Sequence, residues 1–222
     1  MVNAESYKRI EHELGDRITL VAVSKTKPIE DILELYELGQ RDFGENYVQE
    51  LVEKEARLPK DIRWHFIGHL QTNKVKLIAP FVQLIQGVDS LKLLKEINKE
   101  ATKNNRTIDC LLQVHIAREE TKFGFDEKEL DAVIKQLPAL QLNNVSVRGL
   151  MGMASFTADM NKVQDEFKKL KEIFDHHAVL MNNRPGLTTL SMGMSSDYVI
   201  AIREGSNMVR IGSLLFGERS KK

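Results

Sequence analysis

The sequence has 222 residues, of which 32 are Lys or Arg and 32 are Asp or Glu, so its formal net charge is zero. A balanced charge lacks the basic surface expected of a general nucleic-acid binder or of a protein bound to a membrane by polybasic segments. No apolar run approaches the roughly 18 residues that span a bilayer, and the single cysteine, Cys110, cannot form an internal disulfide. Because the charged amino terminus also differs from a signal sequence, we expect a cytoplasmic protein that binds neither nucleic acid nor membrane.

Short apolar stretches alternate with amphipathic helical stretches along the chain, a pattern typical of βα units around a parallel sheet. A helix is predicted over residues 4–14, before the first strand. Eight strands are predicted over residues 19–24, 41–44, 62–68, 81–86, 108–115, 145–151, 188–193 and 208–212. Since a helix or a short helical turn follows each of them, the order predicts a single (β/α)8 TIM barrel domain over residues 1–222. A doubly wound open sheet is the alternative architecture.

Several of the predicted helices have recognisable ends. Pro28 suits the first turn of the helix after strand one, and Ser90 and Asp126 suit the N-cap positions of two later helices. The stretch 159–180 carries apolar residues at helical spacing and predicts a long helix.

In a barrel of this kind the functional site forms at the carboxyl ends of the strands, so the residues after each strand are the first candidates. Lys25 follows the apolar run of strand one. Burial at such a position favours the neutral amine of a lysine, which attacks carbonyl groups and forms Schiff bases. A lysine whose charged end simply reaches solvent is the equally weighted alternative. Lys27, beside Pro28, is expected to be solvated.

The ends of strands seven and eight form a second group of candidates, in the region where barrels of this kind frequently bind phosphate. Ser195 is predicted to be the N-cap of the helix after strand seven, with its hydroxyl group directed at an anion. Gly212 and Ser213 follow strand eight, where a glycine allows a phosphate to approach the backbone closely. An ordinary capped helix and a tight turn are the alternative.

Arg210 lies inside the apolar run of strand eight. A buried charge of this kind needs an acceptor. A ligand heteroatom and a neighbouring carboxylate are equally good candidates for that acceptor.

The histidines do not predict a metal site. His65 and His69 are four positions apart, but they lie across a predicted strand end rather than on one helical turn. The sequence also contains neither a P-loop nor a dinucleotide-binding glycine fingerprint, which argues against an ordinary nucleotide enzyme.

Five segments resemble those of a known family, and they occur in the family's order along almost the whole chain. The segments are LVAVSKTKP at 20–28, FGENYVQE at 43–50, WHFIGHLQTNK at 64–74, LSMGMSSDY at 190–198 and MVRIGSLLFG at 208–217. They resemble the pyridoxal phosphate homeostasis protein family of the YggS/PROSC type. The resemblance implies a fold-type III barrel, similar to the N-terminal domain of alanine racemase, with pyridoxal 5'-phosphate (PLP) as its cofactor.

The resemblance also implies a role for each candidate residue. Lys25 would hold PLP as a Schiff base, and Arg210 would face the pyridine nitrogen of the cofactor. The remaining residues implied to bind PLP are Ser195, Gly212 and Ser213 at the phosphate, Ser191 and Met194 as neighbours of the phosphate, and Asn46 and Met151, with the segment 151–153, along the ring pocket.

An alanine racemase needs a second acid or base on the other face of the cofactor, a tyrosine that an added β-domain of its partner subunit supplies. The chain ends about ten residues after the last predicted strand, so we expect no such domain and a monomer. The resemblance therefore implies a protein of vitamin B6 homeostasis without catalytic turnover, with amino acids and PLP-dependent apo-enzymes as further partners. The alternative is an enzyme, either a racemase-like PLP enzyme acting on amino acids or an aldolase that uses Lys25 without a cofactor.

Overall fold

Eight parallel strands close into a barrel in the computed structural model, which describes residues 2–117, 123–180 and 186–217. The strands are β1 (Thr19–Val23), β2 (Asp42–Glu45), β3 (Arg63–Phe66), β4 (Leu84–Val88), β5 (Ile108–Val114), β6 (Val145–Gly152), β7 (Thr189–Met194) and β8 (Met208–Ile211). Each strand pairs with the next one along the chain, and β8 pairs with β1 to complete the barrel. This closure confirms the predicted TIM barrel and excludes the open doubly wound sheet.

A helix follows every strand, and one more helix precedes the barrel. The helices are α1 (Ala4–Leu14), α2 (Ile29–Glu37), α3 (Val48–Arg57), α4 (Val75–Ile78), α5 (Leu91–Lys103), α6 (Glu127–Gln136), α7 (Met160–Leu180), α8 (Tyr198–Arg203) and α9 (Ser213–Phe216). Within the described part of the chain, the helices that are long enough to cross a membrane lack the apolar composition to do so.

Two predicted helix ends agree with the structure, and one helix start and one strand start differ from it. Ser90 accepts a hydrogen bond from the backbone of α5, and Asp126 forms a capping box with Glu129 at the start of α6, as predicted. Pro28 lies at the N-cap of α2, one position before the first turn. The predicted fourth strand begins too early, because Phe81 and Val82 belong to the hydrogen-bonded turn that ends α4. Their apolar side chains extend the apolar run of β4 in the sequence.

The barrel interior is filled at its middle by side chains from five strands. Val21, Leu84, Leu111, Met151 and Met208 form this buried inner cluster, which is separate from the larger core between the strands and the helices. A TIM barrel is therefore a packed core rather than a pore. A cavity at the carboxyl ends of the strands consequently has a closed floor.

Candidate functional site

One cavity of about 390 Å³ lies at the carboxyl ends of the strands. Seven of the nine predicted site residues line it: Lys25, Asn46, Met194, Ser195, Arg210, Gly212 and Ser213. These residues come from loops or strand ends at β1, β2, β7 and β8. The barrel thus brings together the groups that the sequence analysis selected from opposite ends of the chain.

Apolar side chains form much of the remaining wall of this cavity. They are Val23, Ile67, Met153 and Phe156. The side chain of Phe156 is 92% exposed and stands at the rim. A ring-shaped ligand would therefore find apolar surface beside the charged groups.

Of the residues that the structure describes, Met151 and Ser191 are the predicted site residues outside the cavity lining. Met151 packs into the inner cluster, and Met153, two positions further along the chain, reaches the cavity instead. Ser191 is fully buried and accepts a hydrogen bond from Arg210 at 2.5 Å. Ser191 therefore contacts a lining residue rather than the cavity.

Arg210 is almost completely buried, with 4% of its surface exposed. Its Nη1 donates to Ser191 Oγ at 2.5 Å, and its Nη2 donates to the carbonyl oxygen of Gly152 at 3.0 Å. Burial lowers the pKa of this guanidinium to about 10, so it remains protonated at neutral pH. Within the described residues no carboxylate oxygen lies within 4.0 Å of it, so a neighbouring carboxylate is not the acceptor there.

Asn46 contributes an acceptor to the same cavity. Its Oδ1 atom is buried and has no hydrogen-bond partner among the described residues. Buried polar atoms are normally satisfied, so an unpaired acceptor on a residue that lines a cavity suits a hydrogen bond from a ligand.

The loop that carries Lys25 is held by a buried ion pair below it. Glu45, which is fully buried, accepts from Ser24 Oγ at 2.6 Å and from Lys54 Nζ at 2.7 Å. Lys54 also donates to the carbonyl oxygen of Ser24 at 2.8 Å. Burial raises the pKa of the Glu45 carboxyl, although Lys54 and Ser24 act in the opposite direction. The backbone on the amino-terminal side of Lys25 is thus fixed from two directions.

The backbone on the other side of Lys25 is fixed as well. Thr26 donates its backbone N–H to Glu50 at 2.6 Å and has a φ of +63°, a left-handed conformation that is uncommon outside glycine. Glu50 also pairs with Lys54 at 2.7 Å. Sequence reasoning missed Glu45, Glu50 and Lys54, although a glutamate inside a buried strand followed by a Glu and Lys at i,i+4 spacing was a usable signal.

The environment of Lys27 differs from the predicted one. Its ammonium group is partly buried and lines the cavity, and it donates to the carbonyl oxygen of Phe216 at 2.7 Å. The bond joins the loop after β1 to the end of α9. The expectation of a solvated lysine was wrong because barrel closure places β8 and α9 beside this loop.

Ser195 reaches the cavity by a different local structure from the predicted one. Asp197 rather than Ser195 occupies the N-cap of α8, and its carboxylate accepts from the backbone of Met194 at 2.6 Å. Gly193 permits the tight turn with a φ of +98°, where a Cβ atom would lie 2.6 Å from that of Ala201. Ser195 Oγ accepts from the backbone N–H of Gly212 at 3.2 Å, which ties the ends of β7 and β8 together.

His65 and His69, the two histidines that the sequence analysis considered as a metal pair, do not line this cavity. His65 is buried inside the barrel beside Asp42 and Gln86. His69 lies at the surface, where it contacts Asp89 at 2.9 Å and stacks on Phe123. Among the described residues, one group with ligand atoms within 4.8 Å of one another lies between the outer helices α6 and α7: Asp131, His176 and His177.

The fold and the cavity have known counterparts. Residues 4–220 match the family described as "Alanine racemase, N-terminal domain". An alanine racemase of Clostridium difficile 630 superposes with a TM-score of 0.74 at 15% identity, covering 99% of this chain and 57% of its own, a likeness of fold alone. The PipY structure of Synechococcus elongatus PCC7942 with PLP bound superposes with a TM-score of 0.87 at 36% identity, covering 96% of this chain and 99% of its own.

Curated relatives give the same result at higher identity. The pyridoxal phosphate homeostasis protein of Aquifex aeolicus is 44% identical over 201 residues, which are 90% of this chain and 86% of the relative. The human pyridoxal phosphate homeostasis protein is 40% identical over 215 residues, which are 91% of this chain and 78% of the relative. Fold and cavity thus define a barrel of the alanine racemase N-terminal domain class. Within that class, the chain belongs to the family of pyridoxal phosphate homeostasis proteins.

Removing the amine that pairs with Glu45 tests the support of the Lys25 loop. We expect Lys54→Met to lower the free energy of unfolding by about 3 to 5 kcal/mol, because it leaves a buried carboxylate without its partner. Urea unfolding followed by circular dichroism measures the change. Lys60→Met, which removes an exposed pair with Glu55, is the matched control and should cost less than about 1 kcal/mol.

The loss of folding stability in Lys54→Met should also depend on pH. A carboxyl whose pKa is raised in the folded protein binds its proton more tightly in the folded than in the unfolded state. The stability of the variant should therefore fall as the pH rises above the ordinary glutamate pKa of 4.5. A Lys54→Met variant as stable as Lys60→Met at neutral pH would contradict the role of this ion pair.

Proposed function

We propose that this protein binds PLP in the cavity as a Schiff base on Lys25 and acts in vitamin B6 homeostasis without catalytic turnover. The observation that carries the proposal is the cavity itself, which Lys25 and the buried cation of Arg210 line together with a cluster of serine and glycine residues. The relatives named above are homeostasis proteins of PLP, and the similar PipY structure contains PLP. The same ligand therefore suits this cavity.

Lys25 supplies the amine in this proposal. Its nitrogen forms the C=N bond with the aldehyde carbon of PLP, and the aldehyde oxygen leaves as water. The ion pair below the loop and the bond from Thr26 to Glu50 keep the backbone of Lys25 in one conformation. The cofactor provides an electrophilic aldehyde and a conjugated ring, and the protein provides their placement.

Arg210 and Asn46 recognise the ring. The guanidinium of Arg210 donates a hydrogen bond to the pyridine nitrogen and, as an arginine, does not transfer a proton to it. The orphaned Oδ1 of Asn46 accepts a hydrogen bond from a ring hydroxyl group. Both contacts use atoms whose burial makes an unfilled hydrogen bond costly.

The phosphate occupies the side of the cavity at the ends of β7 and β8. Ser195 and Ser213 offer hydroxyl groups, and Gly212 offers backbone that a phosphate can approach. A Cβ atom at position 212 would lie 3.2 Å from the carbonyl oxygen of Val23, so this position suits glycine. Met194 lies beside this group and shapes its wall, while Ser191 acts through Arg210.

The composition of the cavity wall favours a carrier over a racemase. Racemisation requires an acid or base on each face of the cofactor. All four tyrosines of the chain lie in its described part, and none of them lines the cavity. The second amine there, Lys27, donates to backbone carbonyl groups at the end of α9. We therefore propose exchange with amino acids and delivery of PLP to apo-enzymes, by a cytoplasmic monomer, rather than turnover.

Borohydride reduction of the PLP-loaded protein tests the Schiff base. We expect peptide mapping to find a pyridoxyl group on Lys25, because its amine lines the cavity beside the ring contacts. Lys25→Ala should lose the visible absorbance of the bound cofactor while keeping its circular dichroism spectrum. Lys27→Ala, in the same loop, is the control and should still be labelled at Lys25. Labelling confined to Lys27 or to surface lysines would overturn the assignment.

Ser195→Ala tests the phosphate site. Losing a hydrogen bond to a charged group costs about 1.5 to 3 kcal/mol, so PLP affinity should fall by about tenfold to a hundredfold. Equilibrium dialysis with PLP and with pyridoxal, which lacks the phosphate, measures the effect. The affinity for pyridoxal should not change, and Ser206→Ala, a buried serine bonded to backbone carbonyl groups, should leave both affinities unchanged. An equal loss for both ligands in Ser195→Ala would place the phosphate elsewhere.

Incubation of the PLP-loaded protein with L- or D-alanine in deuterated water tests the absence of turnover. We expect a spectral change as the amino acid displaces Lys25, without inversion of the α-carbon, because displacement needs no second base. Chiral chromatography and mass spectrometry measure inversion and deuterium content. Multiple-turnover inversion with deuterium at the α-carbon would favour the racemase-like alternative.

A further inference from the structure

A continuous chain of side-chain hydrogen bonds runs through the barrel interior from Arg210 to the opposite end of the barrel. Arg210 Nη1 lies 2.5 Å from Ser191 Oγ, which in turn lies 2.7 Å from Gln86 Oε1. Gln86 Nε2 lies 3.0 Å from His65 Nδ1, and His65 Nε2 lies 3.0 Å from Asp42 Oδ1. The chain thus joins strands β8, β7, β4, β3 and β2.

The chemistry of the two ends fixes the direction of every bond in this chain. A guanidinium can only donate, and an ionised carboxylate can only accept. Ser191 therefore accepts from Arg210 and donates to Gln86 Oε1, so the amide nitrogen of Gln86 faces His65. His65 must then accept at Nδ1 and donate from Nε2, which is the neutral tautomer. One arrangement of hydrogens satisfies all five residues.

The middle of the chain is isolated from solvent and from the cavity. Gln86 and Ser191 have no exposed surface, and His65 is 3% exposed. Of the described residues that line the cavity, none is one of these three. Polar side chains at such positions displace apolar packing, and the proposed binding contacts do not account for them.

The charges lie at the two ends of the chain. At the cavity end the guanidinium of Arg210 has no carboxylate within 4.0 Å among the described residues. At the other end Asp42 is ionised: burial alone would raise its pKa, but the hydrogen bonds from Arg63 and His65 lower it to about 2. The intervening dipoles all point their hydrogens toward Asp42 and their acceptors toward Arg210. This order of dipoles favours the buried cation, and the charge of Asp197 raises the pKa of Arg210 in the same direction.

We propose that Ser191, Gln86 and His65 are positioning residues that hold the guanidinium of Arg210 in one orientation and keep its cavity side open to an uncharged ring acceptor. The inference rests on the proposed binding of PLP. A carboxylate in contact with Arg210 would occupy its donors in pairs and would neutralise it. Ser191 instead takes one donor and the carbonyl of Gly152 takes another. The rest of the guanidinium serves the ligand.

Gln86→Met tests the inference, because methionine keeps the length of the side chain and removes the hydrogen bonds of the amide to Ser191 and His65, together with its contact to Met208 Sδ. We expect the dissociation constant for PLP to rise about tenfold, which corresponds to the loss of one hydrogen bond. We also expect the visible absorption maximum of bound PLP to shift. The matched control is Gln113→Met. Gln113 is a buried glutamine on the next strand, bonded to the carbonyl oxygen of Phe123 and outside the chain. The PLP affinity of the Gln113→Met variant should stay within about twofold of that of the wild type.

Nitrogen-15 NMR of His65 provides a readout that needs no cofactor. We expect the neutral Nε2–H tautomer in the wild type and in Gln113→Met, and an altered Nδ1 resonance in Gln86→Met. If Gln86→Met fails to fold, Ser191→Ala is the second variant, because it interrupts the chain of hydrogen bonds one residue closer to Arg210. We expect it to show the same loss of PLP affinity.

The outcomes separate this inference from the function on which it rests. Equal PLP affinity and absorbance in wild type and in a folded variant with an interrupted chain would overturn the positioning role and leave the proposed function intact. A His65 protonated on Nδ1 in the wild type would overturn the chain itself. A wild-type protein that takes up no PLP would overturn the proposed function and the inference with it.

Discussion

The pairing of β8 with β1 is the constraint on which the site depends. Arg210 lies opposite Val21 in this pair, so the carboxyl end of β8 adjoins that of β1. Lys25 at the beginning of the chain and Gly212 near its end thereby line one cavity. The same contact gives Lys27 its acceptor at the end of α9. An open sheet with the same strands would separate the amine from the cation, so the site exists only because the barrel closes.

The barrel handles its two buried charges differently. Glu45 receives direct contacts at Oε1 from Lys54 and Ser24, and this arrangement suits a structural role because the two opposite charges are paired within the protein. Arg210 instead donates to the neutral groups Ser191 and Gly152, while the more distant charge of Asp197 raises its pKa against the effect of burial. The contrast indicates which charge serves the fold and which serves the site.

The sequence was sufficient to predict the eight strands and most of the residues that line the cavity. Apolar runs indicate the strands, and the residues after each strand lie at the carboxyl end of a barrel. The sequence was not sufficient for Ser191. The register between β7 and β8 shifts between Ser191 and Met194, and Ser191 is buried in the barrel interior whereas Met194 lines the cavity. Gln86 and His65 were missed for a related reason, since their partners lie across the barrel and depend on the registers of several strands. Ser195 was placed correctly at the cavity but for the wrong reason, because Asp197 is the N-cap of α8.

The likeness to alanine racemase is one of fold, and the proposed binding mode would explain how the same barrel can hold a reactive cofactor without turnover. In the proposed binding mode an arginine at the pyridine nitrogen would bind the ring without giving it the proton that makes it a strong electron sink. The interior chain is compatible with this state, because Ser191 accepts from Arg210 without neutralising its charge, and Asp197 acts on the pKa of Arg210 from a distance. In the proposed function, binding strength would come from the buried cation and the phosphate contacts, whereas reactivity would need a proton at the ring and a second base. The two properties are therefore separable within one site, and a carrier requires only the first.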